Sequence, residues 1–120
     1  MGGRVNLVGA RISDCFIAQG NKFTVANLTL TGTTAIPRGG PNVYILDPGG
    51  AARNVTLWAS PQLGDFVFIV NAADAAEVLT IQTSAGAGLT PACTPTQSET
   101  AFLIYCGATL GWRNFVSIGA

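Results

Sequence analysis

Residues 64–71, Gly64-Asp-Phe-Val-Phe-Ile-Val-Asn71, contain an unbroken apolar run from Phe66 to Val70. Aromatic and β-branched residues favour strands, and a run that is apolar at every position offers no face to water. We therefore predict a central strand that is covered on both sides. No apolar run in the chain approaches the roughly 20 residues that a membrane-spanning helix requires.

Similar short segments recur on both sides of this strand, with turn residues between them. A particularly clear turn is Asp47-Pro-Gly-Gly50, in which Pro presets φ and Gly accepts a positive φ. Thr100 to Cys106 and Trp112 to Ile118 are expected to form a terminal hairpin. Short strands separated by turns are typical of sandwiches and barrels. The sequence therefore predicts an all-β fold, an antiparallel β-sandwich of jelly-roll-like type.

The first part of the chain has a different pattern. Aliphatic and aromatic residues such as Val5, Leu7 and Phe16 are spread among polar ones, with little signal for local strand pairing. A free segment exposing these side chains would aggregate or be cleaved, so it is expected to lie on its own core or on a neighbouring subunit. We predict an extended N-terminal arm at residues 1–22 and a single β-sandwich domain at residues 23–120.

The chain carries very little charge. It has six basic and six acidic residues among 120, a net charge of zero, and 48% apolar residues. A typical soluble domain has roughly 25% charged residues, and net charge is what keeps a free surface dispersed. We therefore expect self-association. Neither nucleic acid nor a membrane is an expected partner, because both attract clustered Lys and Arg. The N-terminus has no secretory h-region, so synthesis in a cytoplasm is expected.

Catalytic motifs are scarce. The sequence has no His, which excludes Ser-His and Cys-His activation of a nucleophile. An enzyme would require several carboxylates to converge in a pocket, the candidates being Asp65, Asp74, Glu77 and Glu99. Asp74 and Glu77 are more simply interpreted as a solvated loop. The sequence predicts that the protein is not an enzyme and has no metal site and no cofactor.

Three cysteines, Cys15, Cys93 and Cys106, cannot all pair within one chain. Free cysteines are commonly buried as small apolar residues, and this is the favoured interpretation. A bridge between Cys93 and Cys106 is the alternative, although a reducing compartment disfavours it.

The order of several strand motifs resembles the small β-rich virion proteins of tailed bacteriophages. These motifs are Asn54-Val-Thr-Leu57, a Gly-led strand that ends at Asn71, Val78-Leu-Thr-Ile81, and Ala101-Phe-Leu-Ile-Tyr-Cys-Gly107 followed by Trp112. The resemblance covers roughly residues 43–115. It is greatest to head decoration, or cement, proteins and looser to trimeric tail-fibre domains.

This resemblance implies a non-catalytic capsid protein. Such subunits cluster, usually as trimers, on junctions between major capsid proteins and stiffen the shell. The expected location is the capsid exterior of the virion, after synthesis in the host cytoplasm, and the expected partners are other copies of the chain and the major capsid protein. The predicted capsid or subunit interface residues are Arg4, Val5, Leu7, Phe16, Trp58, Phe68, Tyr105 and Trp112. The residues predicted to lie in the core or at a trimer axis are Phe66, Phe68, Ile69, Leu79, Ile81, Leu103 and Tyr105.

An alternative function is a trimeric tail-fibre or receptor-binding module that recognises glycans. It would need Trp58, Trp112 and Tyr44 to be exposed, because sugars stack on accessible aromatic rings.

Overall fold

A computed structural model describes residues 22–117, which form eight short strands and one single-turn helix. The strands are β1 (Val25–Thr29), β2 (Thr34–Ala35), β3 (Val43–Asp47), β4 (Arg53–Thr56), β5 (Phe66–Asn71), β6 (Leu79–Gln82), β7 (Thr100–Tyr105) and β8 (Trp112–Val116), and the helix is α1 (Gly107–Leu110).

The strands belong to two sheets that the chain visits in turn. The larger sheet has the order β1-β3-β5-β7-β8, and the smaller sheet has the order β2-β4-β6. Within the first six strands, the pairs are β1 with β3, β2 with β4, β3 with β5 and β4 with β6. All four pairs are parallel. The chain winds as successive coils with one strand in each sheet, as β-helices do.

The last two strands close the larger sheet in a different way. β7 pairs antiparallel with β5, and β8 pairs antiparallel with β7. This confirms the predicted terminal hairpin, whose connection is the turn of helix α1. It also places β5 in the middle of the larger sheet, which confirms the predicted central position. The predicted cover on both sides is wrong, because Phe66, Phe68 and Val70 on the outward side are only half-buried.

The all-β prediction is confirmed, but the antiparallel, jelly-roll-like arrangement is wrong for β1 to β6. These strands pair in parallel because each coil returns through the opposite sheet before the next strand of the same sheet begins. Parallel strands that are apolar on both faces are a known feature of buried parallel sheets. The predicted arm at residues 1–22 lies outside the described residues, except for Lys22.

Both sheets contribute to one apolar core. The larger sheet supplies Leu46, Ile69 and Leu103, and the smaller sheet supplies Val55 and Leu79, all of which are fully buried. Ile69, Leu79, Ile81 and Leu103 were predicted to be core or axis residues, and the structure buries all four. The inward sides of β3, β4, β5, β6 and β7 therefore supply this core.

The turn after β3 has the predicted chemistry. Gly49 and Gly50 have φ values of +75° and +99°, and the Asp47 carboxylate accepts a hydrogen bond from the Gly49 N–H at 2.9 Å. A Cβ on Gly49 would lie 2.4 Å from the carbonyl oxygen of Leu30. This position therefore requires glycine for two reasons, its positive φ and the close approach of β1's C-terminal end.

Asn71 fixes the chain where it leaves β5. Its side chain is fully buried, and its Nδ2 donates to the carbonyl oxygens of Glu77 at 2.9 Å and Pro95 at 3.0 Å. Its Oδ1 accepts from the Ala73 N–H at 2.9 Å. One buried amide therefore ties together the crossover to β6 and the later segment before β7.

Candidate functional site

The outward side of the larger sheet carries a row of apolar residues that runs from one edge to the other. Five residues in register form a row across all five strands, which we call the central row. Its members are Val25, Val43, Phe68, Phe102 and Phe115. The row crosses every strand of the sheet and contains no charged or polar side chain.

Further apolar residues border the central row on the same side. Strand residues alternate between inward and outward sides, and the outward positions of β3, β5 and β7 are half-buried and apolar except for Asp47 and Thr100. Phe23, which precedes β1, also packs against this side. We call the whole surface the aromatic face, and its members are Phe23, Val25, Val43, Ile45, Phe66, Phe68, Val70, Phe102, Ile104 and Phe115.

Phenyl rings of the aromatic face pack against one another. Phe68 and Phe102 have ring centroids 4.8 Å apart, and Phe102 and Phe115 have centroids 5.6 Å apart. Phe23 stacks on Phe68 at 5.7 Å and meets Phe66 edge-on at 5.9 Å. These distances are typical of favourable aromatic pairs. The rings thus form one continuous cluster, held in place by contacts within the single chain.

Much of this surface remains accessible to water in a single chain. Phe115 is 67% exposed, Val25 53% and Phe23 48%. A group of exposed apolar side chains on one side of a sheet is a candidate interaction surface. The aromatic face is therefore the candidate functional site.

Charges lie only at the margins of this face. Arg113, on the edge strand β8, is the outward residue in register with Ile104, and Asp47 ends β3 at the other side. The row next to the central row, from Asn27 through Ile45 to Val70, is uncharged. A partner that covers this face therefore has to provide apolar surface rather than opposite charge.

Of the predicted interface residues in the described part of the chain, only Phe68 lies on the aromatic face. Trp58 and Tyr105 are half-buried and pack against the core, and Trp112 is buried at 6% exposure. Trp112 contacts Trp58 at a centroid distance of 5.1 Å and Tyr105 at 5.4 Å. The other predicted interface residues, Arg4, Val5, Leu7 and Phe16, lie outside the described residues.

Sequence reasoning missed Phe23, Phe102 and Phe115 as members of the face. The signal for Phe102 was present, because β7 has apolar residues at both inward and outward positions, as β5 does. Phe115 follows Arg113 and Asn114 and precedes Val116, so only the register of β8 with β7 places it in the central row.

Tyr44, Trp58 and Trp112 do not form the exposed aromatic platform that the glycan-binding alternative needs. Tyr44 is buried at 4% exposure and Trp112 at 6%. The Trp58 indole, although half-exposed, donates its Nε1–H to Asp65 Oδ2 at 3.0 Å. The expectation that these three rings are exposed together is therefore wrong for Tyr44 and Trp112.

Asp65 is the acceptor of a local network that closes the loop before β5. Arg38 donates to it through Nε at 2.9 Å and through a terminal nitrogen at 3.3 Å, and the Gln62 N–H donates at 2.9 Å. The Arg38 hydrogen bond, opposed by partial burial and aided by Gln62 and Trp58, lowers the pKa of Asp65 from 3.8 to about 2. With four donors already bound, this carboxylate acts as a structural clasp.

The other acidic candidates do not join Asp65. Carboxylate oxygens of Asp74 and Glu77 lie within 4.8 Å of each other and of Asp47. Glu99 accepts instead from the Thr96 N–H at 2.7 Å, in its own loop. Asp74 and Glu77 thus lie together, whereas Asp65 and Glu99 are each held in a loop of their own.

Cys93 and Cys106 are both free thiols, so the alternative of a bridge between them is wrong. Cys93 is buried, as the favoured interpretation predicted, and burial raises its pKa to about 12. Cys106 is half-buried, and Cys15 lies outside the described residues.

Comparison with protein-family models and with curated proteins yields no match to this chain. Within residues 22–117, no helix is long and apolar enough to cross a membrane.

Proposed function

We propose that this protein is a structural component of a tailed-phage virion, a head decoration protein that forms trimers and binds the major capsid lattice from outside. Its role is to stabilise the head, and it performs no catalysis. The aromatic face is the contact between its copies. The N-terminal segment and the loop tips are the contacts to the capsid.

One observation carries the proposal of self-association: the aromatic face itself. A folded chain that leaves these apolar side chains in water gains free energy when they are covered, at about 25 cal/mol per Å². Phe115, at 67% exposure, has the most to gain among the residues of the face. A second copy covers this surface with the same apolar side chains, so no charged group has to leave water.

The low charge of the chain supports the same proposal. A net charge of zero leaves no long-range repulsion between copies. Decoration subunits that touch both one another and a shell need little free surface, which is consistent with the small number of charged residues.

The capsid is proposed as the partner because of the resemblance to decoration proteins. The motifs that carry it correspond to successive elements of the fold, β4, β5, β6 and the β7–β8 hairpin. They therefore lie in one structural unit.

The test is whether the chain occupies the heads of phage particles. Particles from an infected or induced source culture would be purified by density gradient and labelled with gold-conjugated antibody to the purified protein. We expect label over the heads and the protein band in the purified particles. Label confined to fibres would favour the receptor-binding alternative, and particles free of the protein would contradict any virion role.

A further inference from the structure

We propose that the chain's own N-terminal segment closes the end of the coil stack at β1. In this arrangement residues 7–11 pair in parallel with β1, and each lies beside the β1 residue that follows it by 18 positions. The added strand forms one more coil ahead of the first. Neither the proposed trimer nor the proposed capsid contact is required for this arrangement.

The first coil leaves an inward side chain uncovered. Leu28 of β1 is an inward residue, because its register partner in β3 is the fully buried Leu46. The next residue in the same column, Asn71 of β5, is also fully buried. Leu28 is nevertheless 43% exposed. The core is therefore closed in the second and third coils and open at the β1 end.

The backbone of β1 is open on the same side. Within residues 22–117, β1 is the edge strand of the larger sheet. The Leu30 N–H donates to the Asp47 carbonyl at 2.8 Å, so the even-numbered residues of β1 face β3. Alternate residues of a parallel strand face opposite neighbours. The N–H and C=O groups of Val25, Asn27 and Thr29 therefore point away from β3, and we call this side of β1 the open edge. Such a row of backbone groups is a template for a further strand.

The opposite end of the stack shows how this chain covers an edge. Beyond β6, the Leu79 N–H donates to the Pro95 carbonyl at 3.1 Å. The Ile81 N–H donates to the Cys93 carbonyl at 3.0 Å. In the larger sheet, β7 and β8 continue from β5. The last coil is thus covered by the chain that follows it, and the corresponding cover for the first coil is the chain that precedes it.

The preceding chain is long enough to reach the open edge. In the larger sheet, Val25 and its partner Val43 are 18 residues apart, and Val43 and its partner Phe68 are 25 apart. A strand 18 residues ahead of β1 falls at residues 7–11. Because this segment is joined to β1, it meets the open edge at a high effective concentration. Its connection favours it over a strand from a second copy.

An 18-residue step also matches the side-chain pattern. It places Val8, Ala10 and Ile12 beside the inward positions 26, 28 and 30. Among steps of 18 to 25 residues, only this one supplies an apolar side chain at all three positions. Arg11 then faces outward, so no charge enters the core. Leu7 also faces outward, in line with the central row, and both residues remain available for the proposed capsid contact.

The first experiment is amide hydrogen exchange of the full-length chain, followed by NMR. The amides of Val25, Asn27 and Thr29 report the open edge, whereas the Leu28 amide faces β3 and reports folding. We expect all three edge amides to exchange at least 100-fold more slowly than in an unstructured peptide. This protection should be the same at every protein concentration, because the cover belongs to the same chain.

Two neighbouring variants test which residues provide the cover. Val8→Asp directs a carboxylate toward the core and should speed exchange of the edge amides at least tenfold. Leu7→Asp makes the same change on the outward side and should leave that exchange unchanged. The Leu28 amide should stay protected in both variants. Edge amides unprotected in the wild type, or equal effects of the two variants, would overturn the inference. Protection that rises with protein concentration would assign the edge to a second copy and overturn it as well.

Disulfide crosslinking locates the strand and identifies the chain that supplies it. Native thiols other than the buried Cys93 are replaced by serine. Leu7→Cys is then combined with Val25→Cys, its neighbour in the proposed register. Adjacent strands lie about 4.8 Å apart, a Cα separation that a disulfide spans. Leu7→Cys with Leu63→Cys is the matched control, because Leu63 is 79% exposed and lies in the loop before β5.

We expect the first pair to form a bridge within one chain at least tenfold faster than the control, visible as a monomer of altered mobility on non-reducing electrophoresis. A mixture of the single variants Leu7→Cys and Val25→Cys should give no crosslinked dimer. A dimer from that mixture would show that the strand comes from a neighbouring copy and would overturn the inference. Failure of the double variant to form its bridge faster than the control would overturn the proposed register.

Discussion

Asn71 shows how one side chain can determine the course of two connections. It is fully buried, and its amide group is hydrogen-bonded to the backbone of Ala73, Glu77 and Pro95. A buried polar group that loses its partners costs about 1 to 3 kcal/mol. The role of this asparagine is therefore to hold the two connections in place.

The corresponding prediction concerns Asn71→Leu. Leucine has a similar volume but makes none of the three hydrogen bonds, so we expect the free energy of unfolding to fall by about 3 kcal/mol. Urea denaturation at a fixed protein concentration measures this. Asn54→Leu, on the exposed side of β4, should change stability by less than about 0.5 kcal/mol. Equal losses in the two variants would refute the role given to Asn71.

Asp65 makes stability depend on pH in the acid range. Its pKa falls from 3.8 to about 2 on folding, chiefly because Arg38 donates to the carboxylate. A group whose pKa is lowered by folding stabilises the native state above its unfolded pKa, and this stabilisation is lost as the pH falls through the folded value.

We therefore expect Asp65→Asn to lower the free energy of unfolding by about 1 kcal/mol at neutral pH. This figure is reduced for solvent screening because the Arg38 side chain is 51% exposed. The difference between wild type and variant should stay constant above pH 4 and shrink toward zero as the pH approaches about 2. Tryptophan fluorescence, to which Trp58 contributes, follows unfolding. A difference that persists unchanged at pH 2 would contradict this account.

Alternate residues of β5 face opposite sides of the larger sheet and so have different roles. Ile69 points into the core and is fully buried, whereas its neighbour Phe68 points outward and is half-buried. The inward side holds the two sheets together, and the outward side belongs to the central row. Substitutions at adjacent positions should therefore have effects of different kinds.

We predict that Ile69→Ala lowers the stability of the folded chain by about 2 to 5 kcal/mol through loss of packing and the cavity it leaves. Phe68→Ala should have a smaller effect on the isolated chain and instead weaken association, so that subunits separate at a higher protein concentration. Urea denaturation measures the first effect, and light scattering over a dilution series measures the second. Comparable loss of association in Ile69→Ala samples that remain folded would contradict this division.

The sequence predicted the elements better than their pairing. Local composition identifies strands such as β5 and the turn at Asp47, because φ preferences and side-chain shape act within a few residues. Whether neighbouring strands run parallel depends on the path of the connection between them. Val25 pairs with Val43 and Val43 with Phe68, and these partners lie a whole coil apart. The sequence of a single strand therefore does not show which strand it pairs with.

At the scale of the whole molecule, the candidate site was only partly predictable. The charge-poor composition indicated that some surface is covered, and Phe66 and Phe68 were predicted as core or axis residues. The other rings come from β7, β8 and the residues before β1, and only the register of five strands brings them into one face. Of the residues predicted to lie at an interface, Trp112 lies in the core and Trp58 packs against it.

The central claim is that the aromatic face is covered by other copies of the same chain. A single charge at its most exposed ring should therefore abolish assembly. Phe115→Glu places a carboxylate where apolar side chains meet, and an unpaired charge in such a contact costs several kcal/mol. The dissociation constant should rise at least 100-fold. Leu63→Glu, at a position that is 79% exposed but off the face, should have no effect.

The most direct measurement is the mass of these three proteins by light scattering at micromolar concentration. We predict a wild-type mass three times that of the 12.3 kDa chain, the same mass for Leu63→Glu, and a folded monomer for Phe115→Glu. A wild-type protein that is a monodisperse monomer, or a Phe115→Glu variant that remains a trimer, would contradict the account.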